Sequence, residues 1–418
     1  MAEPTTDSMK WANALSTRPS LEAAVDEVVQ EAQERLGVPA HLGLVFISST
    51  FASEYPRLLP LLGERLSVPH LVGCSGGGVI GSNPREDTQE IEDKPALSLT
   101  LAHLPGVDIH TFYLSTEQLP DLDSPPDAWA DLIGVSVADQ PQFIILADPI
   151  PTKINDLLEG LDFAYPGSVK LGGLASTGSS MGDTGLFCNQ ELHREGVVGV
   201  ALSGNIVLET IVAQGCRPVG QAYRITEAER NILLKMQQQG SVPSDLSSPI
   251  QTPLEVLQEL VQGLDEQDQK LAQHALFVGI VRDEFKQDVE PGDFLIRRLL
   301  GIDPRIGAIA IGDRVRPGQR IQFHLRDAQT SAEDLEVLLR RHQKASQAKS
   351  APAGALLFSC LGRGEGLYGY PNFDSQLFSR YLNNIPLSGF FCNGEIGPVG
   401  GTTFLHGYTS AFGIFRPA

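Results

Sequence analysis

No stretch of this chain approaches the roughly 18 consecutive apolar residues that a membrane-spanning helix needs. Residues 1–17 carry Glu3, Asp7 and Lys10 and no apolar core, so they do not read as a secretory signal. Positive charge is scarce as well. Against 51 Asp and Glu stand 31 Lys and Arg, a net charge of −20 with His neutral, and no basic cluster interrupts that balance. This disfavours nucleic acid and anionic membrane as partners, because affinity for both comes mainly from Lys and Arg meeting phosphate. The five cysteines, Cys74, Cys188, Cys216, Cys360 and Cys392, are scattered and odd in number. That is the usage of a reducing compartment rather than of a disulfide framework, and the expected location is cytoplasmic. With no Cys-x-x-Cys, His-Glu-x-x-His or EF-hand spacing, a metal site would have to be assembled from distant loops.

What the chain does have is core-forming material: 42% hydrophobic against 20% charged residues, the balance of a folded protein. Residues 1–18 read as a disordered start. In "SLEAAVDEVVQEAQERLG", Leu21, Ala24, Val25, Val28, Val29, Ala32 and Leu36 share one helical stripe between Pro19-Ser20 and Gly37, which are start and stop signals. "LGLVFIS" and "PHLVGCS" read as buried strands around a helix from Ser53 to Leu66. The polar, proline-containing stretch 237–253 reads as a linker between an N-terminal domain, 19–236, and a C-terminal domain, 254–418.

One pattern recurs. "LGLVFISSTFASEYPRLLPLLGERLSVPHLVGCSGGGVIG" reads strand, polar turn, helix, proline, strand, glycine loop, and "AGALLFSCLGRGEGLYGYPNFDSQLFSRYLNNIPLSGFFCNGEIG" has the same order. Laid together, Ser48 meets Cys360, Cys74 meets Cys392, and Ile80-Gly81 meets Ile396-Gly397. "FIILADPIPTKINDLLEGLDFAYPGSVKLGGLASTG" is a third, weaker copy. The fold class expected is α/β (α+β): two related halves, each a mixed β-sheet with β-α-β units and hairpins backed by helices.

"GGGVIG", Gly76 to Gly81, fits G-x-G-x-x-G, but no helix opens behind it, so a dinucleotide site is rejected. Two glycine-rich loops hold the candidate ligand-binding residues. "LLFSCLGRGEGLYG" sets Cys360, Arg363 and Glu365 at the end of a buried run, and "GFFCNGEIGPVGGTTFLHGYTS" adds Asn393, Glu395 and His406. The first repeat contributes Cys74, Ser75 and Gly76. Arg363 would grip a carboxylate, while Glu395 or Glu365 would accept from an ammonium, a set suited to a zwitterion such as an amino acid. The bland alternative is that Arg363 pairs internally with Glu395 and braces the loop. Cys360 or Cys392 with His406 and Glu395 also supplies the residue types of a cysteine-dependent hydrolase or transferase, though without any local signature of such an enzyme.

These same residues carry a resemblance. "LVGCSGGGVIG", "KLGGLASTG" and "GCRPVG" resemble the N-terminal half of the FIST family of F-box and intracellular signal transduction proteins. "LLFSCLGRGEGLYG" and "GFFCNGEIGPVGGTTFLHGYTS" are similar to its C-terminal half, in the family's order from about Val38 to Phe415. The resemblance implies a sensory module that binds a small molecule, with its output elsewhere. No F-box, kinase, cyclase or membrane segment is recognised, so a signalling partner in trans is implied. It also admits a haem-based gas sensor, with His406, His193 or a cysteine as axial ligand, or a pure interaction scaffold.

Overall fold

The computed structural model describes residues 8–83, 87–150, 153–178, 183–239, 248–286, 289, 291–347 and 349–418. The chain forms two compact units, Met1–Ala213 with Glu336–Ala418, and Gln214–Leu335. This division does not follow a cut at 237–253. Ile250–Gln251 of that stretch pairs with a strand and Thr252 caps a helix, while residues 240–247 lie outside the described ones.

Local chemistry sets the elements of the first unit. Helix α1 (Leu21–Leu36) begins where the Ser20 hydroxyl accepts from the Ala23 N–H and ends at Gly37, at φ 66°. All seven residues of its stripe are buried. Residues 10–16 correct the expected disordered start: they form an edge strand, with Trp11, Ala12 and Ala14 buried.

Three six-stranded sheets build this unit. The first runs β1 (Lys10–Ser16), β6 (Leu97–His103), β2 (Leu42–Ser48), β3 (His70–Gly76), β10 (Leu186–Cys188), β11 (Glu191–His193). The second runs β13 (Val207–Ala213), β25 (Ser410–Arg416), β21 (Gly354–Cys360), β22 (Leu387–Cys392), β4 (Gly78–Ser82), β5 (Thr88–Glu92). The third runs β7 (Val107–Leu114), β12 (Val197–Gly204), β8 (Gln142–Ala147), β9 (Lys170–Leu174), β23 (Glu395–Val399), β24 (Thr402–His406). Only the two middle strands of each sheet are parallel. Each parallel pair is joined by a helical crossover: α2 (Tyr55–Arg65), α4 (Ile154–Ala164), or α8 (Gly364–Tyr368) with α9 (Phe373–Tyr381). The mixed sheets with β-α-β units are as expected, and the weak third copy is a full member of the repeat.

The sheets are interleaved. Leaving β3, the chain enters the second sheet as β4; leaving β22, it enters the third as β23; leaving β9, it enters the first as β10. The register is equivalent at all three exchanges. Gly73 lies between Val45 and Phe187, Gly172 between Ile145 and Ile396, and Gly389 between Leu357 and Ile80. A Cβ on these three glycines would sit 2.0, 1.8 and 1.8 Å from the carbonyl oxygens of Val45, Ile145 and Leu357, so no other residue fits. This register keeps Ser48 with Cys360 and Ile80 with Ile396, but it corrects the pairing of the cysteines. Cys74 stands opposite Phe46 and matches Phe390, whereas the partner of Cys392 in the repeat is Gly76.

The inner faces of the sheets share one core, with Phe46, Phe358 and Phe390 packed ring to ring at 5.3–6.4 Å. Outside it, α1 and α2 cover the first sheet, while α3 (Pro126–Ile133) and α4 cover the third. The second unit is an antiparallel barrel. Its strands run β14 (Arg217–Glu229), β20 (Arg320–Leu325), β17 (Leu276–Val281), β18 (Phe294–Asp303), β19 (Ala308–Ile311), β15 (Ile232–Gln238), and β15 closes back on β14. The short β16 (Ile250–Gln251) edges β15, α5 (Pro253–Gly263) packs Val256 and Leu257 into the barrel core, α6 (Glu266–Ala272) follows, and the boundary with the first unit falls within α7 (Ala328–Ala345). Among the described residues no helix is long and apolar enough to cross a membrane.

Candidate functional site

The carboxyl ends of the parallel strands, where open α/β sheets place ligands, come together in the first unit. Ser176, just past β9, is the junction. Its Oγ accepts from the Gly77 N–H at 2.8 Å and donates to the Phe391 carbonyl, while its N–H donates to the Ser75 carbonyl. The Leu361 N–H bonds the Cys392 carbonyl, and the Asn393 N–H bonds the Leu174 carbonyl. Beside this knot lies a cavity of about 560 Å³ lined by Asp148, Ser176, Thr184, Arg194, Leu361 and Asn393 among others. That volume suits a small organic ligand.

Asp148 is the chemically distinctive wall. It is only 7% exposed, its Oδ1 accepts from the Thr184 hydroxyl at 3.1 Å, and its N–H bonds the Gly196 carbonyl. Burial raises its pKa, partly offset by that hydroxyl. Ala147 pairs with Leu174, two residues past Gly172, so Asp148 holds the place that Ser48 and Cys360 hold in the other repeats. One equivalent position is thus hydroxyl, thiol and carboxylate in turn. Sequence reading passed over Asp148 because the third copy was too weak to align residue by residue. A larger cavity, about 830 Å³, lies by β1, β5 and α9, but its Arg35 is already held by the carbonyls of Asn13 and Asn83 and by Glu31.

The residues expected to bind ligand are only partly brought together. Asn393 lines the cavity with its side chain exposed. Cys360 is half-buried next to Leu361, its sulfur accepting from the Gly362 N–H at 3.4 Å. Ser75 lies beneath, accepting from the Gly185 N–H at 3.0 Å, and Cys74 and Gly76 are buried with it. Glu395 and His406 face each other across β23 and β24, both buried. Glu395 accepts from the Thr409 N–H and His406 Nε2 meets the Gly397 carbonyl at 3.0 Å, so both are built into the hairpin. Glu365 is exposed, and its N–H donates to Glu92.

Arg363 is the main departure. It is fully buried and does not line the cavity; Nε and Nη2 grip Asp374 bidentately at 2.8 and 3.0 Å. Its internal partner is thus Asp374, where the sequence reading named Glu395. Tyr368 and Ser410 also donate to Asp374. Burial pushes this carboxyl up, but the guanidinium and these hydrogen bonds outweigh it and leave the pKa below the usual range.

Glu90 reaches the same cluster from β5. Its Oε1 accepts from the Ser375 N–H at 2.7 Å near the start of α9, while its own N–H donates to Asn372. A second buried carboxylate thus stands near Asp374. Burial and the charge of Asp374 push Glu90 up to about 8. Because the folded pKa is the higher one, the stabilising contribution is full below the ordinary Glu pKa and is lost as pH rises through about 8. Between the ordinary Glu pKa and about 8 the melting temperature is expected to fall more steeply with pH in the wild type than in Glu90→Gln, and above that the two curves should run parallel. Parallel curves within that window as well would refute the protonated assignment.

Burial raises the Cys392 and Cys74 thiols well above their ordinary pKa, the opposite of nucleophile activation. His406 Nε2 is engaged inside its hairpin, and His193 stacks on Tyr113 at 3.7 Å. Among the described residues no group of three or more His, Cys, Asp or Glu is placed to hold a metal ion.

The FIST N domain model matches residues 41–239 and the FIST C domain model residues 253–398. An uncharacterized protein of Mycobacterium tuberculosis is 34% identical over 97% of this chain and 100% of its own length. An uncharacterized protein of Mycobacterium bovis is 34% identical over 96% of this chain and 97% of its own. An F-box/LRR-repeat protein of Arabidopsis thaliana is 30% identical over 116 residues, 24% of this chain and 22% of its own. The chain belongs to the FIST family, whose domains are associated with signal transduction and small-ligand sensing. No F-box model matches it.

Proposed function

We propose that this protein is a sensor that binds a small polar organic ligand of amino-acid size at the junction of its strand ends and reports occupancy to a signalling partner in trans. The observation that carries the reading is the cavity itself. It is open to solvent, floored by buried polar groups, and lined from both family segments through Asp148 and Leu361. Asn393 gives the test. Its side chain lines the cavity, while only its backbone N–H ties the junction together. Asn393→Trp should fill the cavity and keep the fold. A metabolite that raises the wild-type melting temperature in a thermal-shift screen should leave the variant unmoved. Equal shifts in both proteins would place the ligand elsewhere.

A further inference from the structure

Asp148 places a largely buried carboxylate on the wall of the cavity. It is more than nine-tenths buried and lines the cavity, yet its neighbours there are hydroxyl and backbone donors. Among the described residues no Lys, Arg or His pairs with it, and Glu195 adds repulsion. Asp183 and Glu195 also line the cavity, so with Arg194 it holds three acidic side chains against one basic. A buried carboxylate with no counter-charge is costly to keep, and a bound ammonium would relieve that cost. The sister repeats show that the fold does not need a charge at this position, since they place Ser48 and Cys360 there. The rim is of another kind. Ile150 is 71% and Leu361 36% exposed, and both line the same cavity with Pro149.

We infer that the cavity selects a compact organic molecule carrying a primary ammonium, with Asp148 as its anchor and an apolar flank against Ile150 and Leu361. This rests on the ligand-binding reading above and narrows it to one charge type. A free amine and an amino acid share this chemistry; Arg194, on the same wall, is the group that an amino acid's carboxylate would meet.

The test is isothermal titration of the full chain with 3-methylbutylamine, leucine and 3-methylbutanol, which share one apolar skeleton. The amine or leucine is expected to bind at least about tenfold more tightly than the alcohol. Asp148→Asn, which keeps the shape and the Thr184 contact, should weaken that ligand by about 10- to 100-fold, the range for loss of a charge-assisted bond. If the Asn variant does not fold, Asp148→Ser, the residue of the first repeat, replaces it. Whichever of amine and leucine is tighter identifies the source of the ammonium. Binding of either that is indifferent to Asp148 would overturn the anchor and leave the ligand-binding reading standing. Failure of all three probes to bind the wild type would overturn the ammonium proposal, while the thermal-shift comparison with Asn393→Trp still decides the ligand-binding reading.

Discussion

Replacing Arg363 with alanine is expected to lower the melting temperature on the order of 10 °C while leaving ligand affinity at the strand-end cavity unchanged. The guanidinium is fully buried, and its removal strands the 1% exposed Asp374 carboxylate beside a second buried acid, Glu90. Breaking such a pair on one side typically costs ~3–5 kcal/mol, because the remaining charge keeps its desolvation cost and loses its partner. Removing both charges is a different experiment. Arg363→Met with Asp374→Leu should recover much of the loss, since well-packed apolar pairs often replace buried ion pairs at little cost. Calorimetry on the three proteins decides it. An unchanged melting temperature for Arg363→Ala, or a selective loss of ligand affinity, would return Arg363 to the binding site.

A second large effect follows from the interleaving of the sheets. Residues 1–236 expressed alone should not fold to the native state, although they contain the whole FIST N domain match apart from its last residues. The fragment would lack β21, β22 and β25, leaving β13 and the β4–β5 pair without their neighbours in the second sheet. It would also lose β23 from the edge of β9. From the shared core it would lose Leu356, Phe358, Phe390, Phe415 and others, all at or near 0% exposure. Each such side chain is worth ~1.5–3 kcal/mol when buried, so a few of them match a domain's entire stability of about 5–15 kcal/mol. Co-expression with residues 237–418 should restore a soluble complex. Cooperative melting of the monomeric 1–236 fragment would contradict the arrangement.

Legibility in the sequence followed the range of the interactions. Helix α1 was readable to the residue because its stripe, its Ser20 cap and its Gly37 stop are all local. The strands β2 and β3 were readable for the same reason, as short apolar runs bounded by turns. The exchange of β4, β10 and β23 between sheets was not, because each is short and its partner lies in another repeat. The Ser203-Gly204-Asn205 turn shows the same limit. It has the residues of a tight turn, yet β12 and β13 on either side of it belong to different sheets. At the site, Asn393 and the Ser75 loop are tied together through Leu174 and Ser176, a junction that the pairing of Cys74 with Cys392 did not show. The partner of Arg363 was not legible either, since Asp374 sits in the helix beyond the glycine loop and only folding shows which acid reaches the guanidinium.

Native mass spectrometry of the protein purified from its own host, beside Asn393→Trp purified in the same way, tests the central claim most directly. The wild type is expected to carry a small organic adduct that is released on denaturation and contains a primary amino group. The cavity-filled variant should fly as the bare chain. Retention of the same adduct by both proteins, or a haem as the bound species, would contradict a sensor that reads its ligand at the junction of the three repeats.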